Sequence, residues 1–179
     1  MNTTKLKLRL IFFCFVNVLV FSVVACASAS NPSGHLEQCM DNKRYQSQRF
    51  SFDMTENPEV ELRDYFYGIP NCPSIANPPH YRARGESLQV RSDTGPMRRA
   101  QKLYVKWRIK ATGQEYEDNV DLRERLPNDM TGQAVTFLIR DSQLYVYLVT
   151  HELRSPDMPP NGPRKFKDYK TLTIYPNEK

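Results

Sequence analysis

The feature that most restricts what this chain can become is an alternating run followed by a run that complements it. Leu103, Val105, Trp107 and Ile109 alternate with Tyr104, Lys106, Arg108 and Lys110, the two-residue period of a strand buried on one face. After Ala111-Thr112-Gly113-Gln114 comes Glu115 to Leu122, with Tyr116, Val120 and Leu122 in phase. A two-residue loop at Thr112-Gly113 predicts the apolar pairs Leu103/Leu122, Val105/Val120 and Ile109/Tyr116, and on the other face Arg108/Glu117 and Lys110/Glu115. Both faces match together, and a one-residue slip would exchange them, so the pattern specifies a register. Asp118 opposite Trp107 is the one misfit.

A second hairpin follows from Ala134–Arg140 and Gln143–Thr150 about Asp141-Ser142. It predicts Val135/Leu148, Phe137/Val146 and Ile139/Leu144 on one face and Thr136/Tyr147 and Leu138/Tyr145 on the other. Strands apolar on both faces belong in the middle of a sheet or under another element. Val60–Tyr67, Leu172–Tyr175 and Arg49–Met54 read as further strands. Asp121 to Pro127 allows at most a turn or two of helix, stopped by Pro127. Residues 68–80 read as an irregular loop, and Ser155–Pro163, with four prolines, can be neither strand nor helix. The predicted fold is all-β or nearly so: a compact antiparallel β-sandwich or partly open barrel of about six to eight strands, built from hairpins, with one short helical turn.

The N-terminus sets the compartment. Lys5, Lys7 and Arg9 precede the apolar run Leu10–Val24, and small residues follow at Ala25, Ala27 and Ala29, the three parts of a removable secretory signal. Val23-Val24-Ala25-Cys26 also has the form of a lipobox, which makes Cys26 the predicted lipidation site, and a diacylated cysteine is a stable anchor. The expected organisation is a signal over 1–25, a tether over 26–45 and a single β-rich domain over 46–179. The expected location is the periplasmic side of the cell envelope, with the Ala27 that follows the cysteine implying the outer membrane by analogy.

Export leaves Cys39 and Cys72 as the remaining thiols, and in an oxidising compartment they are expected to pair. No metal or other cofactor is expected, because the histidines His35, His80 and His151 are scattered without ligand spacing. Removing Lys5, Lys7 and Arg9 from the 25 basic residues leaves 22 against 20 acidic ones. The mature domain is then close to neutral, which with its compartment argues against nucleic acid as a partner.

Catalytic patterns are weak. The sequence holds no G-x-S-x-G, phosphate-binding loop, G-x-G-x-x-G or H-E-x-x-H. His151-Glu152 lacks its second histidine. Glu115, Glu117, Asp118 and Asp121 could host a carboxylate pair, but the predicted hairpin already gives Glu115 and Glu117 cationic partners. No enzyme activity is expected. Tyr65, Tyr67, Trp107, Tyr145 and Tyr147 read first as core, and the proline-set loop as a preformed presenting surface, with Arg154, Met158 and Arg164 as candidate partner-binding residues.

The stretches Tyr104-Val105-Lys106-Trp107-Arg108, Thr112 to Asp118, Val120 to Pro127, Gln143 to Leu148 and Pro159-Pro160-Asn161-Gly162-Pro163 together resemble a group of small proteobacterial envelope lipoproteins. Some of these are encoded beside type VI secretion effectors, notably phospholipases, and are assigned there as periplasmic immunity proteins. The resemblance spans about residues 60 to 176 and holds no catalytic or binding motif, so it transfers no functional residue. It implies a protein partner, a toxin inhibited by binding, with the membrane reached through the N-terminal lipid. The alternative expectation is a glycan- or peptidoglycan-binding accessory domain using Tyr145 and Tyr147 as a platform. A hydrolase built on the acidic cluster comes third.

Overall fold

The computed structural model describes Cys39, residues 45–72 and residues 74–177. The chain divides into Met1–Pro32 and Ser33–Lys179. The predicted signal and Cys26 lie outside the described residues, as does most of the predicted tether.

The described residues form nine strands: β1 (Tyr45–Asp53), β2 (Val60–Gly68), β3 (Ile75–Ala76), β4 (Val90–Arg98), β5 (Lys102–Ile109), β6 (Glu115–Asp121), β7 (Ala134–Arg140), β8 (Gln143–Leu153) and β9 (Tyr169–Tyr175). A single helical turn, α1 (Pro79–Arg82), follows β3, and a 3-10 turn spans Arg164–Phe166. The first sheet has the order β4-β1-β7-β8-β9 and the second β3-β2-β5-β6. Every pairing is antiparallel except that of β1 with β7. The two sheets pack face to face without closing, so of the two predicted architectures the chain adopts the sandwich.

Aromatic rings from both sheets interleave in the core. Phe50 of β1 stacks on Tyr67 of β2 with centroids 4.3 Å apart, and Phe52 lies 4.8 Å from Tyr65 and 5.0 Å from Phe137. Such rings contribute through area and through edge and offset contacts worth about 0.5–1.5 kcal/mol per pair beyond burial. One open side of the sandwich is closed by Arg91, which donates to the Tyr65 hydroxyl at 2.7 Å and to the Ala76 carbonyl at 3.0 Å. The other is closed by Arg125 Nη1, which donates to the Ile174 carbonyl at 2.5 Å. Cys39 and Cys72 form the disulfide expected from the sequence, and it joins the segment before β1 to the loop after β2.

The β7/β8 hairpin has the predicted register throughout, Val135 opposite Leu148 and Phe137 opposite Val146. Asp141 takes φ 52° at its two-residue turn, a left-handed value that aspartate tolerates better than most residues. The β5/β6 hairpin is shifted by two residues from the prediction: Leu103 faces Val120, Val105 faces Asp118, Trp107 faces Tyr116 and Arg108 faces Glu115. The loop is longer than Thr112-Gly113 because Ile109 N–H donates to the Gln114 carbonyl, and Gly113, at φ 70°, returns its N–H to Ile109. A two-residue slip keeps every side chain on its face. Trp107 gains Tyr116 as a stacked neighbour 5.8 Å away, and the Asp118 misfit moves from Trp107 to Val105.

The predicted Arg49–Met54 strand is β1, which begins earlier, at Tyr45. Two strands were not predicted. β3 is only two residues long, and β4 reads VRSDTGPMR, a polar edge strand whose Pro96 and Gly95 hide its period. The expected helical turn after β6 is a hydrogen-bonded turn from Leu122 to Leu126, and the helical pieces lie instead at α1 and Arg164–Phe166.

Candidate functional site

The outer face of the first sheet carries the candidate site, because residues 154–168 form a strap across it. Arg154 starts the strap. Its Nε donates to the Lys167 carbonyl at 2.9 Å, and its Nη1 to the Ser155 carbonyl at 3.2 Å and to the Met158 carbonyl. Its backbone N–H meets Asp168 O at 2.9 Å. One guanidinium thus gathers both ends of the strap. Asn161 then ties it to β9 through Thr171 O (3.2 Å) and Thr173 Oγ1 (3.0 Å).

Gly162 passes over the Tyr147 ring so closely that a Cβ would stand 3.2 Å from the ring and 3.0 Å from Thr171 Cγ2, and its φ of 78° is left-handed. Only glycine fits that crossing without strain. Phe166 seals the far limb by packing with Ala134 and Val149 in a small second core. This strap is the covering element that the two-sided apolar pattern of β7 and β8 called for. It leaves Tyr147 only 2% exposed, so Tyr147 is not available to stack on a sugar.

Beneath the strap, Ser51 of β1 and Thr136 of β7 are paired in register. Both are fully buried, and their hydroxyls have no hydrogen-bond partner among the described residues. Lys165 stands at the strap's tip. Desolvation pulls its pKa below the usual lysine value, Asp53 and Glu56 oppose that, and the nearby Arg49 cation reinforces it. Asp53 is held below the usual carboxylate range by hydrogen bonds from the Thr55 hydroxyl and backbone N–H, with a smaller contribution from Lys165.

A groove of about 360 Å³ runs along one side of the strap, with Arg49 and Thr94 on one wall, Ala134 and Val149 at its floor, and His151, Phe166 and Tyr169 on the other wall. On the strap's other side, Arg164 and Arg140 border a smaller hollow of about 300 Å³ with Asp53, Glu56 and Asn57. Beyond β7 the strands β8 and β9 continue as a two-stranded arm, since Ala134–Val149 is the last β7 pair while Leu153 still pairs with Tyr169. Leu153 is 74% and Tyr169 41% exposed, and Met158 on the strap is 49% exposed.

The structure sorts the three predicted binding residues. Met158 is presented outward, and Arg164 is free at the surface apart from Glu56 at 3.6 Å. Arg154 has the opposite role: its hydrogen bonds go to the strap itself, so it is a positioning group. No hydrogen bond or ion pair among the described residues joins Arg164 to the other two. Arg49, Lys165 and Phe166 were not singled out from the sequence. They converge only because the strap folds back on β1, and no local pattern announces that.

The outer face of the second sheet holds the charges of the predicted hairpin, with partners drawn from β2 as well as β6. Glu61 accepts from Arg63 at 2.7 Å and Arg108 at 2.5 Å, and Glu115 meets Lys106 at 2.8 Å and Arg63 at 3.9 Å. Burial pushes the Glu61 carboxyl up, but the Arg108 and Arg63 hydrogen bonds outweigh it and hold the pKa below the usual glutamate value. Glu117 accepts from the Tyr104 hydroxyl at 3.0 Å, which with desolvation raises that phenol to about 12. Asp121 pairs with Arg123 and is lowered to about 2. Asp118 is raised by desolvation, with a hydrogen bond from Tyr175 opposing. The acidic cluster is therefore a set of separately partnered carboxylates.

Among the described residues no group of three or more His, Cys, Asp or Glu is placed to hold a metal ion, and no helix is long and apolar enough to cross a membrane. Comparison with protein-family models, with curated proteins and with solved structures returns no match.

Proposed function

We propose that the mature chain is an exported, lipid-tethered periplasmic binding domain that acts as an immunity protein, blocking an envelope-directed toxin such as a phospholipase by tight binding. The observation that carries the binding half is the strap: four prolines and one arginine set its shape, and it holds Met158 outward over a rigid sheet. A surface already ordered before contact loses little entropy on association. The toxin half rests on the secretory pattern and on the resemblance to envelope lipoproteins. Met158 and Arg164 are the contact residues in this reading, with Arg154 holding the loop they belong to.

The test is to co-express the toxin encoded beside this chain, directed to the periplasm, with the wild type and with Met158→Ala/Arg164→Ala. Protection by the wild type that the double variant loses at equal abundance supports the reading. No protection by either, or no toxin-like neighbour, removes it. The anchor has its own test: Cys26→Ser should abolish palmitate incorporation and move the protein out of the membrane fraction. If the variant still fractionates with membranes and the wild type takes up no label, Cys26 is not lipidated.

A further inference from the structure

We infer that the groove between β1 and the strap binds a neutral mono- or disaccharide, with sugar hydroxyls held by Arg49, Thr94 and Gln133 and one ring face laid against Tyr169. This is a function beyond the blocking of a toxin, and it stands or falls independently of that reading.

Hydrogen-bonding capacity is the first argument. Arg49, Thr94 and Gln133 all line the groove. Arg49 Nε donates to Thr94 Oγ1 at 3.1 Å, which orients the guanidinium. The two terminal nitrogens of Arg49 and the hydroxyl hydrogen of Thr94 then have no acceptor among the described residues. Gln133 Nε2 donates to the Asp129 carbonyl at 2.8 Å, so the unused end of that amide is its oxygen, which only accepts. The groove therefore offers donors and an acceptor together. A carboxylate or phosphate accepts only and would leave the Gln133 oxygen unmatched, and an ammonium donates only and would leave Arg49 unmatched. A hydroxyl group does both, so the neighbouring hydroxyls of a sugar use the whole set.

Shape is the second argument. Tyr169 lines the opposite wall and is 41% exposed, so its ring keeps a face for contact, whereas Tyr147 under the strap is 2% exposed. A sugar ring carries an apolar C–H face beside its hydroxyls, and the electron-rich face of an aromatic ring suits it. The volume of about 360 Å³ falls in the range of small-molecule clefts, about 300–1,000 Å³. The walls are also set before any ligand arrives. The floor is the buried β7/β8 pair Ala134 and Val149, and Tyr169 is fixed by its pairing with Leu153. A preformed cleft loses little entropy when it is filled.

The experiment titrates maltose, cellobiose and N,N′-diacetylchitobiose into the full mature chain, isotope-labelled, with sorbitol as an acyclic polyol control. At least one disaccharide should shift the Arg49 Nε–H signal and the Tyr169 amide with millimolar affinity, and that affinity should be the same at low and high salt because the ligand is uncharged. Binding should fall about tenfold in Arg49→Ala and about fivefold in Tyr169→Ala. Tyr169→Phe keeps the ring and should bind as the wild type does. Both positions are exposed, and melting temperatures matching wild type confirm that the variants are folded. No shift with any disaccharide, equal shifts with sorbitol, or shifts centred away from the groove overturns the inference. So does a response confined to glucuronate and lost at high salt, because the groove then selects charge. Sedimentation with insoluble cell-wall glycan separates the sources: wild type that pellets where Tyr169→Ala does not identifies a polymeric glycan, and disaccharide binding without pelleting identifies a soluble sugar, both of which sustain the inference.

Discussion

The two outer faces of this sandwich are finished in different ways. On the second sheet, Glu61 and Glu115 lie between Arg63, Lys106 and Arg108, so the strands are covered by side chains that meet their opposites and otherwise face water. On the first sheet a length of main chain does the covering, seated by Phe166 and squeezed past Tyr147 at Gly162. A charge lattice is flat and nearly self-satisfied, so little is gained by removing it from water. A strap has edges, and edges make grooves. It also leaves buried hydroxyls at Ser51 and Thr136, and the Arg49 guanidinium beyond its Thr94 contact, without hydrogen-bond partners among the described residues. The difference teaches where binding can be gained: on the face whose polar groups are not already paired.

The disulfide is the element both faces share, and cutting it is the harshest test of treating them as parts of one unit. Cys39→Ser/Cys72→Ser should cost about 2–5 kcal/mol, the range for a native disulfide in a small domain. Because the bond links the chain ahead of β1 to the loop behind β2, denaturant unfolding should stay a single transition, and amides of both sheets should lose hydrogen-exchange protection together. Loss on one sheet alone would mean that the faces unfold independently.

Phe166→Ala attacks the strap only. Phe166 is 6% exposed in a three-residue cluster, so the cost should be about 3 kcal/mol, at the lower end for buried aromatics because the cluster can collapse. Exchange should accelerate at the strap's own amides, such as Phe166 and Lys167, while β5 and β6 stay protected. If β5 and β6 lose protection equally, the strap is an integral part of the core and the contrast between the faces fails.

How far these faces could be read in advance follows from what each one rests on. The β7/β8 register was legible to the residue because Asp141-Ser142 allows one tight turn and both faces of the hairpin are apolar. The β5/β6 register was legible only to within two residues. Arg108 finds a glutamate in either register, at position 117 or 115, so the charges could not choose, and the choice fell to the turn at Gly113 and the stacking of Trp107 on Tyr116. β4 was illegible because an edge strand needs no apolar face. The strap was half legible: the apolar outer residues of β7 and β8 demanded a cover and the four prolines marked an irregular segment, but nothing local connected the two. The groove beside it was not legible, since Arg49 and Phe166 are 117 residues apart in the sequence and line one groove only through that crossing.

The paired face can be probed through pH. Glu61 has a folded pKa below its ordinary value of 4.5, so the stability it supplies is present above that value and is lost as pH falls through the lower folded pKa. Glu61→Gln should cost about 0.5–1 kcal/mol near neutrality, and the difference from wild type should shrink in acid. A constant difference in melts from pH 7 to pH 3 would mean that the lattice is held by packing and not by charge.

The smallest effect should come from Asp118, where the same logic runs in reverse. It lies on the inward side of β6 opposite Val105, and desolvation raises its pKa above the ordinary 3.8 even though Tyr175 donates to it. A raised carboxyl pKa means the folded state prefers the protonated form. The stability this gives is full below the unfolded pKa and is lost as pH rises through the folded one, so at neutral pH the ionised group works against the fold. Asp118→Asn keeps an oxygen for the Tyr175 hydroxyl and removes the charge. The variant should be more stable than wild type at pH 7 by a few tenths of a kcal/mol, discounted because the group is partly exposed to solvent, and the gain should vanish in acid. Asp118 and Glu61 sit on the same sheet, so opposite pH responses from the two variants would show that burial and pairing act separately there. A loss of stability in Asp118→Asn at pH 7 would instead mean that the ionised carboxylate and Tyr175 form a net favourable clasp between β6 and β9.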